Sequence, residues 1–236
     1  MIDKRVADAD AAVAGIGDGA TVLIGGFGEA GSPTELIHAL IDLGASGLTV
    51  VNNNAGNGHV GLAALLEHGR VARMVCTYPR SSHSEVFERL YREGSVALEV
   101  VPQGTLAERL RAAGAGLGGF YTPTAAGTEL AEGKETRSIG GRDYVLEYPL
   151  HADFALVKAE RADRWGNLAY RLAARNFGPL MCMAARTTIV QARELVELGG
   201  IDPEHVVTPG IFVDRVVRVA EPMSERAAIL RGDRYT

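Results

Sequence analysis

Residues 21–33, TVLIGGFGEAGSP, set a glycine-rich turn directly after an apolar run, a placement that suggests ligand chemistry. Gly26, Gly28 and Gly31 satisfy G-x-G-x-x-G, the spacing that brings backbone N–H groups to a pyrophosphate when it joins a strand to a helix. A dinucleotide site also needs an acidic residue at the end of the second strand, to take the ribose hydroxyls. Here that strand ends in Asn52, Asn53 and Asn54, and Asp42 falls in the preceding helix. No G-K-[ST] follows the glycines and no G-x-S-x-G occurs in the chain, which argues against a nucleoside triphosphate loop and a serine nucleophile elbow. One or two glycines suffice for a sharp turn, but Gly25, Gly26, Gly28 and Gly31 crowd this one. The surplus points to close approach of the backbone to a ligand or another chain. The six histidines are scattered without H-E-x-x-H, so no metal site is expected. Cys76 and Cys182, far apart and outside any C-x-x-C, read as reduced core residues.

The elements that must carry this turn alternate. Val-, Ile- and Leu-rich runs predict strands over 21–25, 48–52, 73–77, 97–101, 154–158, 187–190 and 212–219. Helical spacing between them predicts helices over 4–14, 33–43, 61–68, 84–93 and 106–113. The sum is an α/β fold, with an open, mostly parallel sheet between helices. Ser32, Pro33 and Glu35 form S-x-x-E with proline at the first helical position, which predicts a capping box opening the second helix. Residues 114–135 lack any period and are rich in Gly, Thr and Pro, so they read as a long irregular loop of functional type. Residues 137–147 read as a β-hairpin turning at Gly140-Gly141.

The 236 residues fit one α/β domain, and no linker or repeat divides residues 1–236. A content of 47% hydrophobic and 22% charged residues excludes disordered and fibrous classes. The net charge of −5, without a basic block, argues against nucleic acid. With no membrane-length apolar stretch and no signal-peptide pattern at the N-terminus, a cytoplasmic location and no membrane partner are expected.

The turn with its flanks, 18–33, resembles the glycine-rich signature of the A (α) subunit of 3-oxoacid CoA-transferases. Further matching segments follow in the family's order. They are 53–56 (NNAG), 101–109 (VPQGTLAER), 120–124 (FYTPT), 132–135 (EGKE), 152–155 (ADFA), 166–168 (GNL) and 174–177 (ARNF). The resemblance implies the fold of CoA-transferases and sugar-phosphate isomerases. It also implies ping-pong transfer of CoA between carboxylic acids through a glutamyl-CoA thioester. The coenzyme A thioester is then a substrate, and no cofactor is permanently bound. The family's nucleophilic glutamate stands in an S-E-N-G motif on the B (β) subunit, absent here: Ser84-Glu85 continues as Val86-Phe87 and reads as a capping and solvated pair. Glu29 is the alternative nucleophile on this chain. The resemblance therefore implies a CoA-transferase B (β) subunit as partner, in an α2β2 heterotetramer.

By the same resemblance Gln103 helps form the oxyanion hole, Asn53 and Asn54 bind the substrate carboxylate, and Tyr78 flanks the acyl pocket. Plain turn roles remain open for Gln103 and for the asparagines. Tyr78 is followed by Pro79-Arg80-Ser81-Ser82-His83, where acetoacetate-type relatives read more like V-G-E-N. Arg80 could pair with a second substrate carboxylate, or it could be a surface arginine. This segment, with 148–153 and 164–167, resembles the 3-oxoadipate branch, whose CoA donor is succinyl-CoA. An acetoacetate-type 3-oxoacid enzyme is the alternative, and a ligand-binding module without catalysis is the alternative of another class.

Overall fold

A computed structural model describes residues 2–81 and 83–236, so Ser82 of the 78–83 segment lies outside the described residues. The chain runs α1 (Ala9–Val13), β1 (Thr21–Ile24), α2 (Thr34–Leu43), β2 (Leu48–Asn54), α3 (Gly61–Glu67), β3 (Val71–Tyr78), α4 (Glu85–Arg92), β4 (Ala97–Val100) and α5 (Gln103–Gly114). It continues through β5 (Phe120–Thr122), β6 (Thr136–Ile139), β7 (Arg142–Glu147), β8 (Ala152–Asp163), β9 (Leu168–Ala169), α6 (Gly178–Ala184), β10 (Ala185–Val196), β11 (Arg215–Arg218) and α7 (Glu225–Arg231).

Seven strands form a parallel sheet in the order β11-β10-β8-β1-β2-β3-β4, and β9 adds antiparallel to β8. Strands of this kind are apolar on both faces because helices cover both. Val22 and Ile24 of β1 face the cluster under α1 to α4, while Leu23 between them faces the cluster under α5 and α6. Val50 with Val51, and Met74 with Val75, divide in the same way. Full burial of one such side chain stabilises the fold by about 2 kcal/mol.

The order reverses beside β1: the chain steps outward through β2, β3 and β4, then returns to β8 on β1's other side. In open α/β sheets, ligands gather at the carboxyl ends of strands flanking such a switch point. The glycine turn, leaving the carboxyl end of β1, stands there.

Several expectations are corrected. The helix expected over 4–14 shrinks to α1, because Asp8 accepts from the Ala11 N–H at 2.8 Å and caps the helix, while Arg5 bridges to Val216 as extended chain. The capping box does not form: α2 has no side-chain cap, the Ser32 hydroxyl donates to Glu225 Oε1 at 2.7 Å, and Glu35 accepts from Gln191 Nε2 and the Met223 N–H. Helix α5 begins at Gln103, three residues earlier than expected. The loop over 114–135 contains β5, which pairs with β7, so a three-stranded antiparallel sheet β5-β7-β6 forms. The hairpin turns at Gly140 and Gly141, with φ of 60° and 79°, the pair of left-handed residues a two-residue turn demands. Strands β8 and β10 each run 12 residues, well beyond the expected 154–158 and 187–190. The expected strand over 212–219 shortens to β11, preceded by a 3-10 turn at Gly210–Phe212.

Candidate active site

A cleft of about 630 Å³ opens at the carboxyl ends of β2 and β3. Asn53 and Asn54 come from β2, Thr77 and Tyr78 from β3, and Gln103 from the first turn of α5. Phe27 and Gly28 of the glycine turn close one side, and Asn57 and Ser81 complete the wall. All nine lining residues are uncharged, and none carries an imidazole, thiol, amine or carboxylate.

Asn53 is buried and its Oδ1 is committed: Gln103 Nε2 donates to it at 2.8 Å, and Thr77 Oγ1 lies 2.8 Å from it and 2.9 Å from the Asn53 carbonyl. This leaves the Asn53 Nδ2 and the second N–H of Gln103 without partners among the described residues. Amide donors of this kind suit a developing oxyanion, since they stabilise charge without bringing one. Asn54 faces inward differently, its Oδ1 taking the Gly56 N–H at 2.8 Å and its Nδ2 lying 3.5 Å from the Gly28 carbonyl. Asn52, absent from the sequence candidates, donates to the carbonyls of Ile24 at 2.7 Å and Gly25 at 3.3 Å, and accepts from the Asn54 N–H. It ties the base of the glycine turn to β2.

The turn itself is compact. Phe27 and Ala30 exchange backbone hydrogen bonds at 3.0 and 3.2 Å around Gly28 and Glu29, with Gly28 at φ 58°. Gly25 and Gly26 lead into it, the Gly25 N–H bonding the Leu156 carbonyl. Gly31 has φ 81°, and a Cβ there would stand 2.5 Å from the Ala174 carbonyl, so backbone contact requires glycine. Glu29 is not among the cleft-lining residues, although its carboxylate accepts from Asn57 Nδ2 of the cleft wall at 2.8 Å, while Ser81 Oγ bonds Asn57 Oδ1.

Tyr78, 64% exposed, and Phe27, 50% exposed, stand at the rim. Arg80 does not line the cleft: its side chain is 78% exposed and pairs with Glu88 at 3.0 Å. The structure thus brings Asn53, Asn54, Tyr78, Gln103 and Gly28 together and leaves Arg80 outside, beside Glu88 of α4. Ser84 precedes α4, but its hydroxyl bonds Ser81, and Glu85 follows on the first turn of the helix.

Sequence reasoning missed Thr77, Asn57 and Ser81 as cleft residues, although their places after β2 and late in or after β3 put them at the strand ends. It also missed Glu225. That carboxyl lies beneath the glycine turn and accepts from Ser32 and Thr34 hydroxyls at 2.7 Å each. Burial pushes it above the ordinary carboxylate range, the two hydroxyls offsetting part of the shift. Burial pushes the thiols of Cys76 and Cys182 up to about 12, so neither is poised as a nucleophile. Among the described residues no group of three His, Cys, Asp or Glu side chains could hold a metal ion, and no helix is long and apolar enough to cross a membrane.

The family model of Coenzyme A transferase matches residues 6–219. The chain is 63% identical to the A (α) subunit of the 3-oxoadipate CoA-transferase of Pseudomonas putida, over 93% of this chain and 95% of that one. It is 51% identical to the A (α) subunit of the succinyl-CoA:3-ketoacid coenzyme A transferase of Xanthomonas campestris pv. campestris (strain B100), over 98% and 96% of the two chains. Among solved structures, glutaconate coenzyme A-transferase from Acidaminococcus fermentans superposes with a TM-score of 0.81 at 21% identity, over 94% of this chain and 78% of that one, a likeness of fold. The α/β chain is thus an enzyme that transfers CoA. The chain belongs to the coenzyme A transferase family. The alternative of a ligand-binding module without catalysis falls with that result.

Proposed function

We propose that the chain is the α subunit of a two-subunit CoA-transferase that moves CoA from succinyl-CoA to 3-oxoadipate. The observation that carries the reading is the cleft's inventory: oriented amide donors for an oxyanion, and among the lining residues no carboxylate, thiol, amine or imidazole to act as nucleophile or to activate the hydroxyls of Thr77, Tyr78 and Ser81. A glutamate on the partner β subunit completes it. That carboxylate attacks the thioester carbonyl of succinyl-CoA and expels CoA thiolate, leaving a mixed anhydride. The thiolate then attacks the glutamyl carbonyl, releasing succinate and leaving a glutamyl-CoA thioester. The acceptor acid's carboxylate repeats the two steps in reverse order. In each tetrahedral intermediate the negative oxygen takes N–H bonds from Gln103 and Asn53, while Asn54 and the backbone of the glycine turn bind the acid and Tyr78 flanks the acyl chain.

The named function of the Pseudomonas putida relative favours 3-oxoadipate. One observation favours the second reading, an acetoacetate-type acid: Arg80 is engaged by Glu88 and no cation lines the cleft to meet a distal carboxylate. The assembly we propose holds two copies of each subunit, has no permanently bound cofactor, and works in the cytoplasm.

The test is CoA transfer from succinyl-CoA to 3-oxoadipate or acetoacetate, by this chain alone and co-expressed with its β subunit. The reading expects activity in the pair only, greater with 3-oxoadipate. Activity of the isolated chain would overturn the half-site mechanism, and preference for acetoacetate would select the second reading.

A further inference from the structure

Asn176 lies in the 174–177 segment, and the reaction above leaves it without a role. It sits 150 residues from the glycine turn in sequence, yet its side chain reaches both ends of that turn. Its Oδ1 accepts from the Gly26 N–H at 3.2 Å, and its Nδ2 lies 3.0 Å from the Ala30 carbonyl. The same amide bonds its own neighbourhood, with the Phe177 N–H at 2.8 Å from Oδ1 and the carbonyls of Ala173 and Ala174 at 3.0 and 3.2 Å from Nδ2. One side chain therefore fastens the turn to residues 173–177.

The backbone there is unusual. Asn176 has φ 23° and ψ −119°, and Leu172 has φ 51°, conformations that L residues seldom adopt. Such conformations persist where surrounding contacts fix them, and they cluster at functional sites. From the opposite side Asn52 holds the Ile24 and Gly25 carbonyls. Between the clamped ends, the N–H groups of Gly28 and Glu29 have no partner among the described residues, and Gly28 lines the cleft.

We propose that Asn176 is a positioning residue that sets the height of the Gly28-Glu29 turn, so that the Gly28 N–H serves as a further donor to the substrate's oxygen beside Asn53 and Gln103. The inference rests on the transfer reaction proposed above. An amide is required, because the clamp needs an acceptor for Gly26 and a donor for Ala30 at once. Asn176→Asp keeps the first and replaces the second by repulsion between a carboxylate and three carbonyls.

The experiment uses the complex of this chain with its β subunit. Active sites are titrated by the first-turnover release of succinate from succinyl-CoA, and kcat is expressed per titrated site. Asn176→Asp should lower kcat per site by about 10- to 100-fold, as for a displaced reacting geometry, with KM for the acid changed less than about threefold. A purely structural role would reduce the number of titratable sites and leave kcat per site unchanged, which would overturn the proposal. If the variant fails to fold, site-resolved amide exchange on the unaltered complex decides: the Gly26 N–H should be protected throughout, and the Gly28 N–H should exchange fast until saturating succinate slows it. Exchange of Gly28 unaffected by succinate would overturn the proposal. Amide exchange does not require turnover, so an inactive complex would refute the functional reading while this measurement still answers for Asn176.

Discussion

Replacing Gln103 by alanine isolates the oxyanion donor with little structural cost. Gln103 is exposed at the start of α5, and its one side-chain partner is Asn53 Oδ1, which keeps Thr77 Oγ1 at 2.8 Å when Gln103 is cut back. The folded state therefore loses one partly exposed hydrogen bond, about 1 kcal/mol, which for a chain of this size lowers the thermal midpoint by about 2–4 °C. The transition state loses more. An N–H aimed at the developing negative oxygen is worth about 2.7–4 kcal/mol, so kcat should fall by about 100- to 1,000-fold with KM for the acid nearly unchanged. Steady-state CoA transfer by the complex with the β subunit, together with thermal unfolding of the same samples, separates the two effects. A fall in kcat below about threefold would refute the assignment. A fall matched by loss of folded complex would mean that Gln103 acts as a helix-start residue.

Two further perturbations follow from the geometry. Glu225 is partly buried beside Ser32 and Thr34 at the end of the glycine turn and its carboxyl is raised above its ordinary value of 4.5, so the folded state holds the proton more tightly than the unfolded state. Its contribution to stability is then greatest below pH 4.5 and declines as pH rises through the raised value. Glu225→Gln, which keeps Oε1 for the Ser32 and Thr34 hydroxyls, should raise the thermal midpoint at pH 8 and converge with the parent near pH 4; an equal loss at both pH values would contradict the burial argument. Arg80→Ala should change KM for 3-oxoadipate and for acetoacetate by less than about threefold, because an exposed ion pair such as Arg80 with Glu88 contributes little. A rise above tenfold for 3-oxoadipate alone would show that Arg80 leaves Glu88 to bind the distal carboxylate.

What the sequence discloses is local. The five apolar runs over 21–101 and 154–158 name β1 to β4 and part of β8, because strands buried on both faces are continuous in hydrophobicity. The extensions of β8 and β10 are hidden in the sequence because charged residues such as Glu160 and Arg161 in one and Arg193 and Glu194 in the other interrupt the apolar run while the backbone ladder continues. Ser32 satisfied a capping pattern, but Glu225, 193 residues away, took its hydroxyl. The asparagines at the end of β2 and Gln103 at the start of α5 were legible as strand-end residues. The Asn53, Thr77 and Gln103 network was not, since it depends on β3 lying beside β2 and α5 returning over both. Arg80 illustrates the reverse: its residue type suits a carboxylate, and only its pairing partner reveals where the guanidinium points.

The half-site mechanism stands or falls on where the covalent intermediate forms. The complex of this chain with its β subunit would be incubated with succinyl-CoA, the thioester reduced with borohydride, and both chains mapped by mass spectrometry. The mechanism predicts a glutamate converted to its alcohol on the β subunit and this chain unaltered. Conversion of a residue on this chain, Glu29 above all, would contradict it.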